Sequence, residues 1–170
     1  MATVRTYVFV HLADGPVPAG LLTMTDEPRN QFATFAYGRR YLARPDRVPV
    51  DPVALPLHDP ATERNFQTEE GFAVFGGIRD AAPDGWGQYL TYKAMGDRLP
   101  SDIDLILGSG DHRVGTLAFG PTLEHPERIT PWGDGDAPGE HSTLEELAYA
   151  ADRAQNVYHL YYNLRGLSSC

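Results

Sequence analysis

Between Tyr41 and Pro60 a proline recurs every three or four residues, at Pro45, Pro49, Pro52, Pro56 and Pro60. Proline lacks a backbone donor, clashes inside helices and biases the residue before it toward extended backbone, so this stretch cannot be helical. Val48, Val50, Val53, Leu55 and Leu57 interleave with the prolines, which favours a packed, extended connection with one or two edge strands over a proline-rich ligand motif. The same chemistry runs through the whole chain: 14 prolines and 17 glycines in 170 residues describe a turn-rich α+β protein and exclude a helical bundle. The length suits one compact domain, or one lobe of something larger.

Before the proline-rich segment, the pattern is that of strands. In residues 4–12, Val4, Thr6, Val8 and Val10 share one face while Tyr7, Phe9 and His11 share the other. Asp14-Gly15-Pro16 is a turn, Val17 to Met24 a second strand with Gly20 as a bulge or close approach, and Gln31 to Tyr37 a third. Short polar turns between them predict an antiparallel meander or a small barrel-like sheet.

After it come helices. Asp80 or Asp84 is placed to cap a helix over roughly Trp86 to Met95, with Gly96 as its stop. Ser101 with Asp104 three residues on starts a second helix that ends at Gly108. Arg113 to Phe119 alternates as a strand, Pro121 to Glu140 is a loop, and Ser142-Thr143-Leu144-Glu145 opens an amphipathic helix to about Tyr162.

Charge narrows the function. Fourteen basic residues against 23 acidic ones give a formal charge of −9, which disfavours a stand-alone nucleic-acid binder. No apolar run reaches the ~18 residues of a membrane-spanning helix, and the N-terminus has no signal-peptide pattern, so a cytoplasmic location is expected. The single cysteine, Cys170, allows no intrachain disulfide.

The residues offer no self-sufficient active site. Gly108-Ser-Gly110-Asp-His-Arg-Val-Gly115 follows a helix and precedes a strand, the reverse of a phosphate-binding loop. His112-Arg113 is followed by Val114 rather than the Asp a kinase catalytic loop needs. The six histidines form no metal-ligand spacing, and Asp134-Gly-Asp136 fails as a calcium loop at Pro138. Asp80 and Asp84 are a possible acid–base pair, but beside Gly and Pro they read first as caps and turn formers.

The stretch Asp80-Ala-Ala-Pro83-Asp84-Gly85-Trp86-Gly87, with Asp102 to Gly115 downstream, resembles the N-terminal region of HipA-like proteins, the serine/threonine kinase toxins of bacterial type II toxin–antitoxin modules. Upstream, Pro18-Ala19-Gly20-Leu21, Phe32 to Tyr37, Tyr41-Leu42 and Val50 to Leu57 fit the same family in the same order. The resemblance implies that residues 1–99 form the family's N-terminal subdomain and residues 100–170 the incomplete start of its kinase N-lobe. It makes Asp80, Pro83, Asp84, Gly85, Trp86 and Gly87 an interaction or structural motif. Gly166, Ser168 and Ser169 approach the family's ATP loop, of the form Ser-Ser-x-Gly-Gly-Ala-Arg-Pro-Lys, and Ser169 takes the position of its regulatory phosphorylation. The loop glycines, its lysine, the catalytic Asp and the metal ligands would lie past Cys170, as in a truncated kinase. ATP and Mg2+ are therefore implied only for a full-length member, and no catalytic or metal-binding residue is expected here. The implied partners are the remaining kinase core or a HipB-like antitoxin, with no direct contact to nucleic acid or membrane. The alternative is a stand-alone regulatory, antitoxin-like subunit that binds a separate HipA-like kinase.

Overall fold

The computed structural model describes residues 2–27, 30–57, 65–83, 85–96, 98–108 and 115–127. The helix expected over 143–162, and Gly166, Ser168, Ser169 and Cys170, lie outside the described residues, as do His112-Arg113 and Asp134 to Asp136.

The meander forms as the alternation predicts. Strands β1 (Ala2–Leu12), β2 (Gly15–Glu27) and β3 (Asn30–Tyr37) pair antiparallel in sequence order. Only Ala13 and Asp14 separate the paired ends Leu12 and Gly15, and Gly15 takes φ 107°, a conformation open to glycine. Val8 pairs with Gly20 but Phe9 with Pro18, so Ala19 is the extra residue of a bulge. The bulge gives the Ala19 carbonyl a second use: it accepts the Gly38 N–H at 2.8 Å, where the chain turns from β3 into the short helix α1 (Arg39–Leu42). Gly20 beside it is a true close approach. A Cβ there would lie 2.5 Å from the Phe35 ring and collide with the Ala36 carbonyl.

Two short strands extend the sheet to five, in the order β4-β3-β2-β1-β5, with β4 at Asn65–Gln67 and β5 at Leu117–Gly120. Both additions are antiparallel, so the fold is an α+β arrangement on an open antiparallel sheet. The barrel-like closure anticipated from the meander does not occur among the described residues, since β4 pairs only with β3 and β5 only with β1. A three-residue β4 leaves too little strand to close the curve, and β5 is covered instead: Glu127 folds back and donates its N–H to Phe119 O at 3.0 Å.

Thr6, Val8, Val10, Leu22, Met24, Ala33, Phe35 and Tyr37 line one face of this sheet and are buried. Against them pack Tyr41 and Leu42 of α1, Val50 and Leu55 of the proline-rich segment, Ile78 of α2 (Gly76–Arg79), and Ile106 and Leu107 of α4 (Asp102–Gly108). Leu117 and Phe119 complete the cluster, so residues on both sides of the expected division at 99 share one sheet and one core.

Among its described residues the proline-rich segment runs through turns and forms no strand, so the one or two edge strands expected there are not seen. Asp51 and Leu55 make a single bridge around a turn. That turn buries Val50 and Leu55 and pushes Val53 out to 90% exposure, so not every interleaved valine serves the core. Helix α3 (Gly85–Ala94) stops as expected, with Gly96 at φ 66° donating to Lys93 O. Helix α4 begins with a reciprocal cap. Asp104 N–H donates to Ser101 Oγ at 3.2 Å, and Ser101 N–H donates to Asp104 Oδ2 at 2.8 Å.

Candidate functional site

The corner from Asp80 to Gly87 is built on α2, an element with no local signal in the sequence. Two adjacent glycines are poor helix formers, so Gly76–Arg79 acquires its shape from outside. The Asp51 carboxylate supplies it. Its Oδ1 accepts from Val53 N–H at 2.9 Å and Ala54 N–H at 3.0 Å, and its Oδ2 accepts from Gly77 N–H at 2.8 Å. Burial pushes this carboxyl up, but donation from the Ala54, Gly77 and Val53 amides outweighs burial and holds it below the ordinary aspartate value. Gly77 makes the contact close: a Cβ would sit 3.0 Å from both Cβ and Cγ of Asp51, which would have to give by a few tenths of an ångström.

Of the two aspartates expected to cap α3, Asp84 lies outside the described residues and Asp80 does not cap it. It closes α2 instead, with its N–H donating to Gly76 O at 2.9 Å, and its side chain is exposed. The reason is register: the extra helical turn at 76–79 ends at Asp80, five residues before α3 begins. Ala81 turns inward and is buried, Ala82 N–H bonds Arg79 O, and the half-buried Pro83 presents its carbonyl to the Gln88 side-chain amide at 3.1 Å. Gly85 and Gly87 are half-buried in the first turn of α3, and Thr91 Oγ1 donates to Gly87 O at 2.9 Å. Asp84 and the Trp86 side chain lie outside the described residues. The described members of the motif therefore hold a corner together largely through contacts to the backbone, and the side chain of Asp80, read as a cap or turn former, is exposed.

Next to the corner, sequence reasoning missed a cleft. A polar depression of about 860 Å3 runs between residues 67–74 and the start of α4, with Glu69, Glu70, Arg79 and Asp102 among its walls. It adjoins a smaller one of about 320 Å3, walled by Met24, Leu99, Pro100 and Ile103. Gln31, Ala73, Val74 and Asp102 belong to both. Its only sequence trace is Gly71, at φ 89°, which turns the chain so that Phe72 is half exposed on the rim. The walls come from segments far apart in the chain, which local patterns do not reveal.

Among the described residues no three His, Cys, Asp or Glu side chains are grouped to hold a metal ion, and no helix is long and apolar enough to cross a membrane. No family model matches the chain, and no curated protein matches it.

Proposed function

We propose that this chain is the N-terminal portion of a HipA-like type II toxin–antitoxin serine/threonine kinase toxin and is not catalytic by itself. One observation supports the reading most. The stretches that carry the resemblance lie far apart in the sequence, yet Ala19, Phe35, Tyr37, Tyr41, Leu42, Val50, Leu55, Ala81, Ile106 and Leu107 meet in a single core. Residues that resemble one family in order, and that pack together, are what a shared fold requires. Such positions build a scaffold, and phosphoryl transfer needs other parts: backbone donors around the phosphates, a lysine, metal ligands and a base.

On this reading residues 1–99 correspond to the family's N-terminal subdomain and residues 100–170 to the start of the kinase N-lobe, with α4 and β5 packed into the sheet and core of the first part. ATP and Mg2+ act only in the complete enzyme, and Ser169 is the regulatory phosphorylation position. The partner is the remaining kinase core or a HipB-like antitoxin, in the cytoplasm. The test is to mix the purified chain with a separately produced HipA-like kinase core, ATP and Mg2+. The expected result is a complex on size exclusion, no phosphate transfer by the chain alone, and transfer by the mixture. Inhibition of a complete, separate kinase would instead assign the chain to a regulatory, antitoxin-like subunit. Phosphate transfer by the chain alone, or no complex with either, would exclude both roles.

A further inference from the structure

The polar depression beside the corner is built around one tight turn. Phe72 N–H donates to Glu69 O at 3.1 Å, with Gly71 at φ 89° in the turn's third position. The turn is held at both ends. Thr68 N–H donates to Ala33 O at 2.9 Å and Thr68 Oγ1 accepts Ala33 N–H at 3.1 Å, while Val74 and Phe75 on the other side are buried. Glu69, Glu70 and Phe72 are thereby presented on one fixed loop, and all three are exposed.

Two independent features of this loop call for an external partner. The first is charge. Glu69, Glu70 and Asp102 wall the depression against a single cation, Arg79. Glu69, Glu70 and Arg79 make no ion pair among the described residues, so the two carboxylates of the turn are uncompensated there. The second is Phe72, which is 52% exposed and is the one aromatic among the exposed large apolar side chains of the described residues. An aromatic ring left in water on the same turn as two carboxylates offers what a guanidinium can use at once, its fork on a carboxylate and its flat face on a ring.

We propose that this depression docks an arginine-bearing segment of a partner protein. Charge selects that occupant at two scales. Locally the acidic walls outnumber the one cation, and over the whole chain a formal charge of −9 attracts a basic segment and repels a nucleic acid. Size selects it as well. A space of about 860 Å3, sharing walls with a smaller one lined by Leu99 and Ile103, exceeds what a single metal ion fills. No three metal-ligating side chains are grouped among the described residues. The inference holds whether or not the chain belongs to a kinase toxin.

The test is fluorescence anisotropy of a labelled peptide of alternating arginine and serine, titrated with the full chain. Binding is expected at low salt and should weaken as salt rises. Glu69→Gln with Glu70→Gln should weaken it about three- to tenfold, and Phe72→Ala about two- to fivefold. Arg79→Gln removes the opposing cation and should tighten it, a gain that a merely structural role of Arg79 would not give. Glu124→Gln with Glu127→Gln takes the same charge from exposed positions that line neither depression and should leave binding unchanged. No binding by the native chain, equal loss in both glutamine pairs, weaker binding by Arg79→Gln, or displacement of the peptide by an equal concentration of spermine would each overturn the proposal.

Discussion

The Asp51 carboxylate and the Gly77 amide, 26 positions apart, meet at 2.8 Å and join the proline-rich segment to α2. Each side of this contact depends on the other, because α2 has weak helix propensity and Asp51 is buried. Asp51→Ala strands three amide donors and should cost about 3 kcal/mol in urea unfolding. Gly77→Ala should cost about 1–3 kcal/mol by crowding the same carboxylate.

Acid should reach this contact too. The Asp51 carboxyl sits below its ordinary value when folded, so the unfolded chain takes up the proton first as pH falls. The stability it contributes is complete above the unfolded aspartate range and is lost as pH drops below about 4 toward the folded value. Melting curves across that range should show a steeper acid loss for the native chain than for Asp51→Asn.

A matching effect is expected at high pH. The Tyr37 hydroxyl donates to Leu55 O at 2.6 Å and accepts Val50 N–H at 2.9 Å. Burial pushes its pKa up to about 12; the Val50 bond pulls it down, while Tyr41 and Asp51 push the same way as burial. A raised tyrosine pKa means the folded state prefers the neutral phenol. Its contribution is full below about pH 10, the ordinary tyrosine value, and is lost as pH rises through about 12. Tyr37→Phe should lose about 1–2 kcal/mol at neutral pH and flatten the alkaline limb, read by tyrosinate absorbance alongside circular dichroism.

Helix α4 should depend on its first residue pair. Ser101→Ala removes the hydroxyl that accepts Asp104 N–H and should lower stability by about 1 kcal/mol. Asp104→Ala also strands Ser101 N–H and the Arg98 contact, and should cost more. Thermal unfolding of both variants ranks them, and the reverse order would contradict the reciprocal cap.

Gly20→Ala should be among the most damaging small substitutions. The added methyl meets a backbone carbonyl as well as an aromatic ring, so the strand pair itself must part. A loss of about 2–3 kcal/mol is expected, and an unchanged denaturation midpoint would show that the bulge yields instead.

Much of this fold was legible because its signals are local. Alternation of Val4, Thr6, Val8 and Val10 located β1, and Gly15, Gly20, Gly96 and the Ser101–Asp104 pair marked turns, approach and caps that all formed. What escaped depends on distant partners. Helix α2 exists through Asp51, β4 is three residues paired to β3, and the cleft beside Phe72 has walls drawn from four parts of the chain. The exposure of Val53 escaped as well, because apolar character says nothing of which side of a turn a residue takes. The corner motif was visible as unusual sequence, but its role in joining α2 to α3 needed the hydrogen bonds of Asp80 and Pro83.

The position of β5 has a consequence for synthesis. Strand β1 is made more than 100 residues before β5, yet its outer edge is paired by Leu117 to Gly120. A ribosome adding ~5–20 residues per second leaves that edge open for several seconds while the meander already exists beside it. An uncovered edge carrying Val8, Phe9 and Val10 is a template for another nascent chain, so output of this protein should fall as aggregates when translation is slowed ahead of Leu117.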